Sequence, residues 1–393
     1  MKYCSPIFKI KTYNTLSHTG LEKFPAERYE IGPEIECPDA ILLRSQDLHD
    51  VSIPETVKAV GRAGTGVNNI PVSECSKRGI PVFNTPGANA NAVTELTIAG
   101  LLLSARNITD AWYFTKNLDG YGESLEVLVE KGKKRFSGFE LAGKTLGVVG
   151  LGAIGVKVSN AATALGLKVV GFDPQITVES AWQLSSEAIP AGSLEELLSC
   201  SDFVSLHVPL NDHTQQLINE LCIDKMKPKA TLLNFSRAAI VDETAVLAAL
   251  ESCKLHAYIS DFPSRLLLNH SGAIVLPHLG ASTAEAEDNC SVMVSQQVRD
   301  FLENGNIRHS VNFPDVNLSI TDGFRLAIAN KNVPGMVSQI TAVLADNKIN
   351  IIDMLNKSRG DYAYSLLDIN DQAPPEVLAR LRSIHGVLSV RAI

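Results

Sequence analysis

The chain has 393 residues, of which 45% are hydrophobic and 20% are charged, so it is long enough for two or three domains with buried cores. Its net charge of -8, without a long block of Lys and Arg, argues against nucleic acid as a partner. No apolar run is long enough for a bilayer, no secretory signal is evident, and Cys and His lack metal-ligand spacing. We therefore expect a cytoplasmic protein with no membrane span and no metal site.

The first two thirds of the chain alternate short apolar runs with Gly-bearing and Pro-bearing segments, which is typical of strands joined by crossover helices. This rhythm predicts doubly wound, mostly parallel sheets of the α/β class. The predicted strands are Ala40–Leu43, Val57–Val60, Ile80–Phe83, Thr145–Val149, Lys168–Phe172, Phe203–His207, Thr231–Asn234 and His256–Ile259.

An apolar helix over Ala92–Arg106 is placed to carry the chain from one domain to the next, and a second crossing is expected after His278. Ser295–Glu303 would then be the closing helix. The expected boundaries are residues 1–90 and 280–312 for a substrate-binding domain and residues 91–279 for a nucleotide-binding domain.

After Pro314 the pattern changes, and residues 320–393 are expected to form a small domain of their own. The periodicities predict the order β-α-β-β-α-β, with Pro375 opening the second helix. This order is that of a ferredoxin-like split unit.

The strongest local motif is G-L-G-A-I-G, which follows a predicted strand and precedes a predicted helix. Gly150 permits a tight turn, Gly152 lets the backbone approach a pyrophosphate, and Gly155 allows close helix packing, while Ala153 and Ile154 open the helix. Asp173 ends the next strand, 21 residues after Gly152, where its carboxylate can accept from ribose hydroxyls. Because that charge would repel a 2′-phosphate, NAD is predicted rather than NADP.

Two further residues, Arg237 and His278, follow predicted strands at the end where open α/β sheets bind ligands. The guanidinium of Arg237 can hold a carboxylate and a carbonyl oxygen. The imidazole of His278 can take a proton from a substrate hydroxyl while a nicotinamide takes the hydride.

The first region offers a candidate anion site in two loops at strand ends. Gly64 and Gly66 allow backbone amides to converge on an anion, and Arg44 and Arg62 add positive charge. Ordinary turn chemistry would explain the same residues.

These motifs together resemble the D-isomer-specific 2-hydroxyacid dehydrogenases over nearly the whole chain, and within them the phosphoglycerate branch. The residues that carry the resemblance read L-L-R-S, G-R-A-G-T-G-V-N-N, F-N-T-P-G-A-N-A-N-A-V-T-E-L, L-A-G-K-T-L-G-V-V-G-L-G-A-I-G, N-F-S-R, P-H-L-G-A-S-T and S-V-N-F-P. The resemblance implies a flavodoxin-like substrate domain and a Rossmann NAD domain.

The resemblance also implies residue roles. Arg237 would bind the substrate carboxylate and His278 would be the acid/base, while Arg44, Ser45, Arg62, Gly64 and an Asn such as Asn89 would contact phosphoglycerate. Cofactor contacts are expected from the glycine turn and Asp173, and also from His207, Pro209, Ser236, Asp261 and Gly280.

One catalytic position departs from the family, which places a Glu shortly after the strand that here reads Y-I-S-D-F-P. Arg265 stands near that place, and a cation there would favour neutral imidazole. Either Asp261 supplies the carboxylate from upstream, or the acid/base pair is weakened.

The terminal unit resembles an ACT domain, a small-ligand module. Asn330, Asn332 and Asn350 fall on the pattern by which serine-sensing versions bind their effector, and such domains commonly pair edge to edge. A dimerisation domain without ligand remains the alternative.

The expected function is NAD-dependent oxidation of 3-phospho-D-glycerate to 3-phosphohydroxypyruvate, the first step of phosphorylated L-serine biosynthesis, by a homo-oligomer regulated by L-serine. One alternative is a reductase of another 2-keto acid, such as glyoxylate or hydroxypyruvate. A non-enzymatic NAD-sensing scaffold is the other.

Overall fold

The computed structural model describes residues 8–119 and 123–393, which divide into two compact units. The first unit comprises Met1–Ala88 and Ala284–Ile393, and the second comprises Asn89–Thr283. The terminal module therefore belongs to the same compact unit as the first domain. Cys4 lies outside the described residues.

The strands of the described chain are β1 (Phe8–Thr12), β2 (Tyr29–Gly32), β3 (Ala40–Leu43), β4 (Ala59–Arg62), β5 (Val82–Phe83), β6 (Thr145–Val149), β7 (Lys168–Phe172), β8 (Ile189–Pro190), β9 (Phe203–Leu206), β10 (Ala230–Asn234), β11 (Leu255–Ser260), β12 (Ala273–Val275), β13 (Phe324–Lys331), β14 (Ile351–Arg359), β15 (Tyr362–Ile369) and β16 (Val387–Ala392).

The helices are α1 (His18–Leu21), α2 (Val72–Lys77), α3 (Ala90–Arg106), α4 (Ile108–Lys116), α5 (Glu123–Gly132), α6 (Ala153–Ala164), α7 (Val178–Gln183), α8 (Leu194–Cys200), α9 (Glu220–Lys225), α10 (Glu243–Glu251), α11 (Ala284–Asn304), α12 (Met336–Asp346) and α13 (Pro375–Ser383). Short 3-10 helices occupy Lys133–Phe136 and Ala238–Ile240. None of these helices is long and apolar enough to cross a membrane.

The first unit is built on a parallel sheet with the strand order β2-β1-β3-β4-β5. All four residues of β3 are buried, as expected for a parallel strand covered on both faces. The long helix α11 covers one face. Gly61 permits its close approach, since a Cβ at that position would lie 2.6 Å from the side chain of Val294.

The second unit contains a parallel sheet with the order β12-β11-β10-β9-β6-β7-β8. The chain winds outward from β6 through β7 to β8, then returns to β9 on the other side of β6. This reversal makes the β6/β9 junction the topological switch point, beside whose carboxyl ends such sheets bind ligands.

The terminal module forms an antiparallel sheet with the order β14-β15-β13-β16, covered on one face by α12 and α13. Its other face packs into the core of the first unit, where Ala327, Ala329 and Leu366 join Phe301 and Phe313. The central strands β13 and β15 are thus buried on both faces, whereas the edge strand β14 is largely exposed.

The predicted fold class, two parallel α/β sheets followed by a ferredoxin-like module, is confirmed. Three strands match their predicted bounds in full: Ala40–Leu43, Thr145–Val149 and Lys168–Phe172. The closing helix was predicted too short, because α11 begins at Ala284 rather than at Ser295. Strands β1 and β2 were not predicted.

Candidate active site

The glycine turn lies at the switch point of the second unit, directly between β6 and α6. Gly150 has φ +91°, and a Cβ there would lie 2.6 Å from the carbonyl oxygen of His207. A Cβ on Gly155 would collide with the carbonyl oxygen of Gly150. Gly152 has open space instead, with no atom within 4 Å of its hypothetical Cβ. Of the three glycines, only Gly152 leaves room for a ligand at the N-terminus of α6.

Asp173 lies at the end of β7, beside that turn. Its Oδ2 accepts from the amide of Leu151 at 2.8 Å, and its Oδ1 accepts from the amide of Gln175 at 2.9 Å. Each carboxylate oxygen retains a lone pair for a ligand hydroxyl. The acid is therefore fixed next to the glycine turn, as the sequence predicts.

His207 follows β9 on the other side of the switch point, and Pro209 lies exposed two residues further on. The Nε2 of His207 shares a hydrogen bond of 2.8 Å with the hydroxyl of Ser205, while its buried Nδ1 has no partner among the described residues. Burial lowers the pKa of this imidazole to about 4, so the ring is neutral at pH 7. Ser236 is bound to the same strand, because its hydroxyl donates to the carbonyl of Leu206 at 2.7 Å.

Arg237 lies three residues beyond the end of β10, partly buried. Its Nη1 donates to the carbonyl of Ser236 at 2.6 Å, and no ion pair with it occurs in residues 8–119 and 123–393. Burial lowers the pKa of the guanidinium, which is the direction expected for a cation that lacks an anionic neighbour. The residue is equipped to receive an anion.

His278 follows β12, and since β10, β11 and β12 are adjacent and parallel, it lies at the same sheet edge as Arg237. Its φ of +57° is a left-handed conformation that is uncommon for a residue with a side chain. Its amide donates to the carbonyls of Asp261 and Leu276, at 3.0 Å each. The ring contacts Phe262 edge-on, with centroids 5.2 Å apart.

Asp261 does not face the imidazole with a free carboxylate. Its Oδ1 accepts from the amide of Leu279 and its Oδ2 from the amide of Gly280, both at 2.7 Å. Burial raises the pKa of this carboxyl, opposed by those two hydrogen bonds. Asp261 thus holds the turn that contains His278 and Gly280.

In the first unit, Arg44 and Arg62 lie at the carboxyl ends of β3 and β4, which are neighbours in register at Leu43 and Arg62. The Nε of Arg62 donates to the carbonyl of Arg44 at 2.9 Å, and its Nη1 donates to the carbonyl of Gly66. The carbonyl of Gly64 accepts from the amide of Thr85 at 3.1 Å. The predicted loops therefore converge at one edge of the sheet.

Two residues that support this loop were missed by sequence reasoning. The side-chain oxygen of Asn14 accepts from the amides of Ser45 and Gln46, at 3.0 and 2.7 Å. The side-chain Nδ2 of Asn69 donates to the carbonyls of Arg44 and Gln46. In the sequence, the only indication of the Asn14 contact is that Asn14 follows the short strand β1.

Comparison with known proteins is decisive for the family. Residues 98–280 match the family model of the D-isomer specific 2-hydroxyacid dehydrogenase NAD binding domain, and residues 325–386 match the ACT domain. The D-3-phosphoglycerate dehydrogenase of Escherichia coli K12 is 31% identical over 356 residues, which cover 87% of this chain and 83% of that protein. The chain belongs to the D-isomer-specific 2-hydroxyacid dehydrogenases.

Two further relatives agree with this family. The D-3-phosphoglycerate dehydrogenase of Synechocystis is 38% identical over 316 residues, but these span 78% of this chain and only 54% of that relative. The crystal structure of an NAD+-bound 3-phosphoglycerate dehydrogenase from Entamoeba histolytica matches with a TM-score of 0.60 and 26% identity, over 78% of this chain and 99% of that one.

NAD is the cofactor of this family's nucleotide-binding domain, and the residues of the second unit fit it. The bare Gly152, the amides at the start of α6 and the fixed Asp173 carboxylate are the groups that a dinucleotide requires. They would hold its pyrophosphate and its adenosine ribose.

No carboxylate of the described residues forms a hydrogen bond or ion pair with the His278 ring, although the pKa of the nearby Asp261 carboxyl, which burial raises, is lowered in part by the charge of His278. Arg265 is exposed, and no described residue forms a hydrogen bond with the imidazole. The ring of Phe262 contacts the imidazole edge-on.

The predicted substrate residues divide between the two units. Arg44, Ser45, Arg62 and Gly64 belong to the first, whereas Asn89, at the N-cap of α3, and Arg237 belong to the second.

The predicted effector residues lie at opposite ends of the ACT sheet. Asn330 and Asn332 lie where β13 ends. Asn350 directly precedes β14. The first residue of β14 pairs with Ile369 of β15, and Ile369 also pairs with the first residue of β13, so Asn350 lies near the start of β13. The Oδ1 of Asn330 is buried without a partner among the described residues. One chain cannot bring all three asparagines to one small ligand, so a shared site requires a second copy.

Proposed function

We propose that this chain oxidises 3-phospho-D-glycerate to 3-phosphohydroxypyruvate with NAD. The observation that carries the proposal is that each unit has a cationic site of its own, Arg44 with Arg62 in the first and Arg237 in the second. A phosphorylated 2-hydroxy acid has the two anionic groups that such sites bind. The relatives that align over most of this chain are named D-3-phosphoglycerate dehydrogenases.

The chemistry assigned to the second unit is acid–base catalysis next to a carboxylate site. Arg237 binds the substrate carboxylate through its fork of donors, which orients C2. His278 takes the proton of the C2 hydroxyl as that oxygen becomes a carbonyl. NAD, when bound, supplies the acceptor for the hydride that leaves C2.

The proposal is tested by steady-state assays with phosphoglycerate and NAD, and with the phosphorylated keto acid and NADH. His278→Asn should lower kcat by about 10²- to 10⁴-fold, the usual loss of a general base, with NAD affinity unchanged. His385→Asn, an exposed histidine of the ACT domain, is the matched control and should leave kcat unchanged.

Two results would overturn this function. Turnover of unphosphorylated glyoxylate or hydroxypyruvate, with none of the phosphorylated acids, would identify a reductase of another 2-keto acid. NAD binding without any turnover would favour a sensing scaffold, a possibility that the altered Glu position raises.

We also infer that L-serine regulates a homo-oligomer of this chain in phosphorylated serine biosynthesis. The separation of Asn330 from Asn350 and the unpartnered Asn330 oxygen support a ligand held between two copies.

The six described cysteines form no disulfide, which fits the cytoplasm as the compartment of this pathway. Inhibition by added L-serine that disappears in Asn330→Ala, with sedimentation of the assembled form, tests the inference.

A further inference from the structure

Helix α11 carries an acid into the arginine cluster of the first unit. The Oε1 of Glu287, in the first turns of the helix, lies 2.7 Å from the Nη1 of Arg44, and the two side chains are 44% and 35% exposed. This is a single contact, so the remaining donors of the Arg44 fork stay available for another oxyanion. Glu287 therefore binds Arg44, which is one of the two arginines assigned to the substrate phosphate.

Cys290 lies one turn further along α11 and confirms how compact the cluster is. Burial raises the pKa of this thiol, Arg44 and Arg62 lower it, and Glu287 raises it. All three charges thus act on one thiol. They come from the end of β3, the end of β4 and the start of α11.

The two arginines are held differently. Arg62 has its Nε and Nη1 on main-chain carbonyls, so its position depends on the backbone of the loop. The side chain of Arg44 has Glu287 as its ion-pair partner. Glu287 is thus the acid that forms an ion pair with Arg44.

We propose that Glu287 is an internal counterion of the phosphate site, which competes with the substrate phosphate for Arg44. This inference rests on the proposed function. Glu287 is a positioning residue rather than a catalytic one, because it acts through Arg44.

The direction of the effect follows from two opposing contributions. Glu287 orients Arg44, but exposed ion pairs between flexible side chains contribute little net free energy. Glu287 also repels any anion that approaches Arg44, and this repulsion is doubled for a phosphate that carries two charges. Repulsion should therefore outweigh orientation, so Glu287 weakens phosphate binding.

A weaker site has a use, because substrate and product carry the same phosphate. When the product phosphate dissociates, Glu287 can form its ion pair with Arg44 again. Product release therefore does not leave the guanidinium without a counterion. We expect Glu287 to speed release at the expense of affinity.

The test is Glu287→Gln, which keeps the shape and removes the charge. The KM for 3-phosphoglycerate and its Kd by calorimetry should both fall about three- to tenfold at low salt, with kcat unchanged or lower. Glu285→Gln removes the same charge from the same helix turn without an ion pair in the described structure, and should have less than half that effect.

A double-mutant cycle separates competition at Arg44 from a general change of charge. In an Arg44→Met background, Glu287→Gln should no longer tighten binding. An unchanged or higher Kd in Glu287→Gln, or the same tightening in both backgrounds, would overturn the proposal. If the wild-type chain bound phosphoglycerate without turning it over, the proposed function would fail while the calorimetry still decided the role of Glu287.

Discussion

Asp261 lies just beyond β11 and accepts main-chain amides on both of its carboxylate oxygens, from Leu279 and from Gly280. The next residue back, His278, has a left-handed backbone conformation and donates its amide to the carbonyl of Asp261. The acid and the histidine are therefore connected through the main chain. This arrangement suits a residue that positions the imidazole.

Asp261→Asn should consequently reduce kcat without moving the pH profile. The side-chain oxygen of an Asn can accept a hydrogen bond from one of the two main-chain amides. Its NH2 group, itself a donor, would face the other amide and could not accept from it. We expect the turn to shift and kcat to fall by about 10²-fold, since small misplacements of a catalytic group are costly.

The pH dependence of kcat/KM decides between this role and that of a catalytic carboxylate. A carboxylate paired with the imidazole would raise the pKa of His278, so its removal would move the profile to lower pH. A shift of that kind in Asp261→Asn would restore Asp261 as the substitute for the family's Glu.

The sequence predicted which side chains of the second unit lie at the same sheet edge, because carboxyl ends of neighbouring parallel strands must coincide. Arg237 and His278 could be found in this way. Glu287 could not, since its contact with Arg44 joins residues 243 positions apart and has no periodic signature. An acid near a helix start is ordinarily explained by the helix dipole.

Among the elements, the turn between β6 and α6 separates two uses of glycine. Gly155 is required by the fold, because a Cβ there collides with the Gly150 carbonyl. Gly152 has free space in front of it, so its missing side chain benefits only a ligand.

Gly155→Ala and Gly152→Ala should therefore fail in different ways. Gly155→Ala should lower the Tm and abolish NAD binding together, because the turn must open to accept the methyl group. Gly152→Ala should keep the wild-type Tm but bind NAD at least about tenfold more weakly, through steric conflict with the pyrophosphate.

Thermal unfolding and calorimetric titration with NAD measure both effects. Equal losses of Tm in the two variants would mean that Gly152 also serves the fold. Unchanged NAD affinity in Gly152→Ala would place the pyrophosphate elsewhere.

Helix α11 shows why element bounds are harder to predict than element types. Its buried residues recur at helical spacing from Cys290 onward, whereas its first turn has only Ala286 buried, between the acids Glu285 and Glu287. Hydrophobic periodicity therefore predicted only the last part of the helix. The acidic first turn is itself a helix-start signal and would have extended the prediction toward Ala284.

At the scale of the first unit, the ACT sheet is attached to the C-terminal end of α11. Arg391 donates to the carbonyls of Phe301 and Leu302, Arg325 donates to that of Asn304, and the Tyr364 hydroxyl donates to that of Gly305. These donors satisfy the last carbonyls of the helix, where positive charge is favourable. The same helix carries Glu287 at its other end.

The sequence predicted the order of the ACT elements but not what covers the outer face of their sheet. Burial on both sides is visible in β13, where Arg325–Asn330 are all buried. Six consecutive buried residues that include an Arg do not form a two-residue alternation. The partner surface, residues 301–313, is a tertiary contact that local periodicity cannot reveal.

A buried ion pair tests how strongly this attachment stabilises the molecule. Arg325 forms two bonds with Asp368, at 2.6 and 2.8 Å, and the side chains are only 6% and 2% exposed. Arg325→Met would leave the carboxylate buried without its cation. We expect the free energy of unfolding of the first unit to fall by about 3–5 kcal/mol at pH 7.

The pH dependence of that loss identifies its cause. Burial alone would raise the pKa of Asp368, but Arg325 and Thr321 hold it below the usual range, so the wild-type stabilisation is present above about pH 4 and is lost as the pH falls further. In Arg325→Met the unpaired carboxyl should have a raised pKa, and the stability of the variant should approach that of the wild type as the pH falls from 7 toward 4.

Arg380→Met is the control. It breaks the exposed Arg380–Asp346 pair and should lower the free energy of unfolding by less than about 1 kcal/mol at every pH. Urea unfolding at several pH values checks this, and a constant gap for Arg325→Met would mean that lost packing, not the buried charge, is responsible.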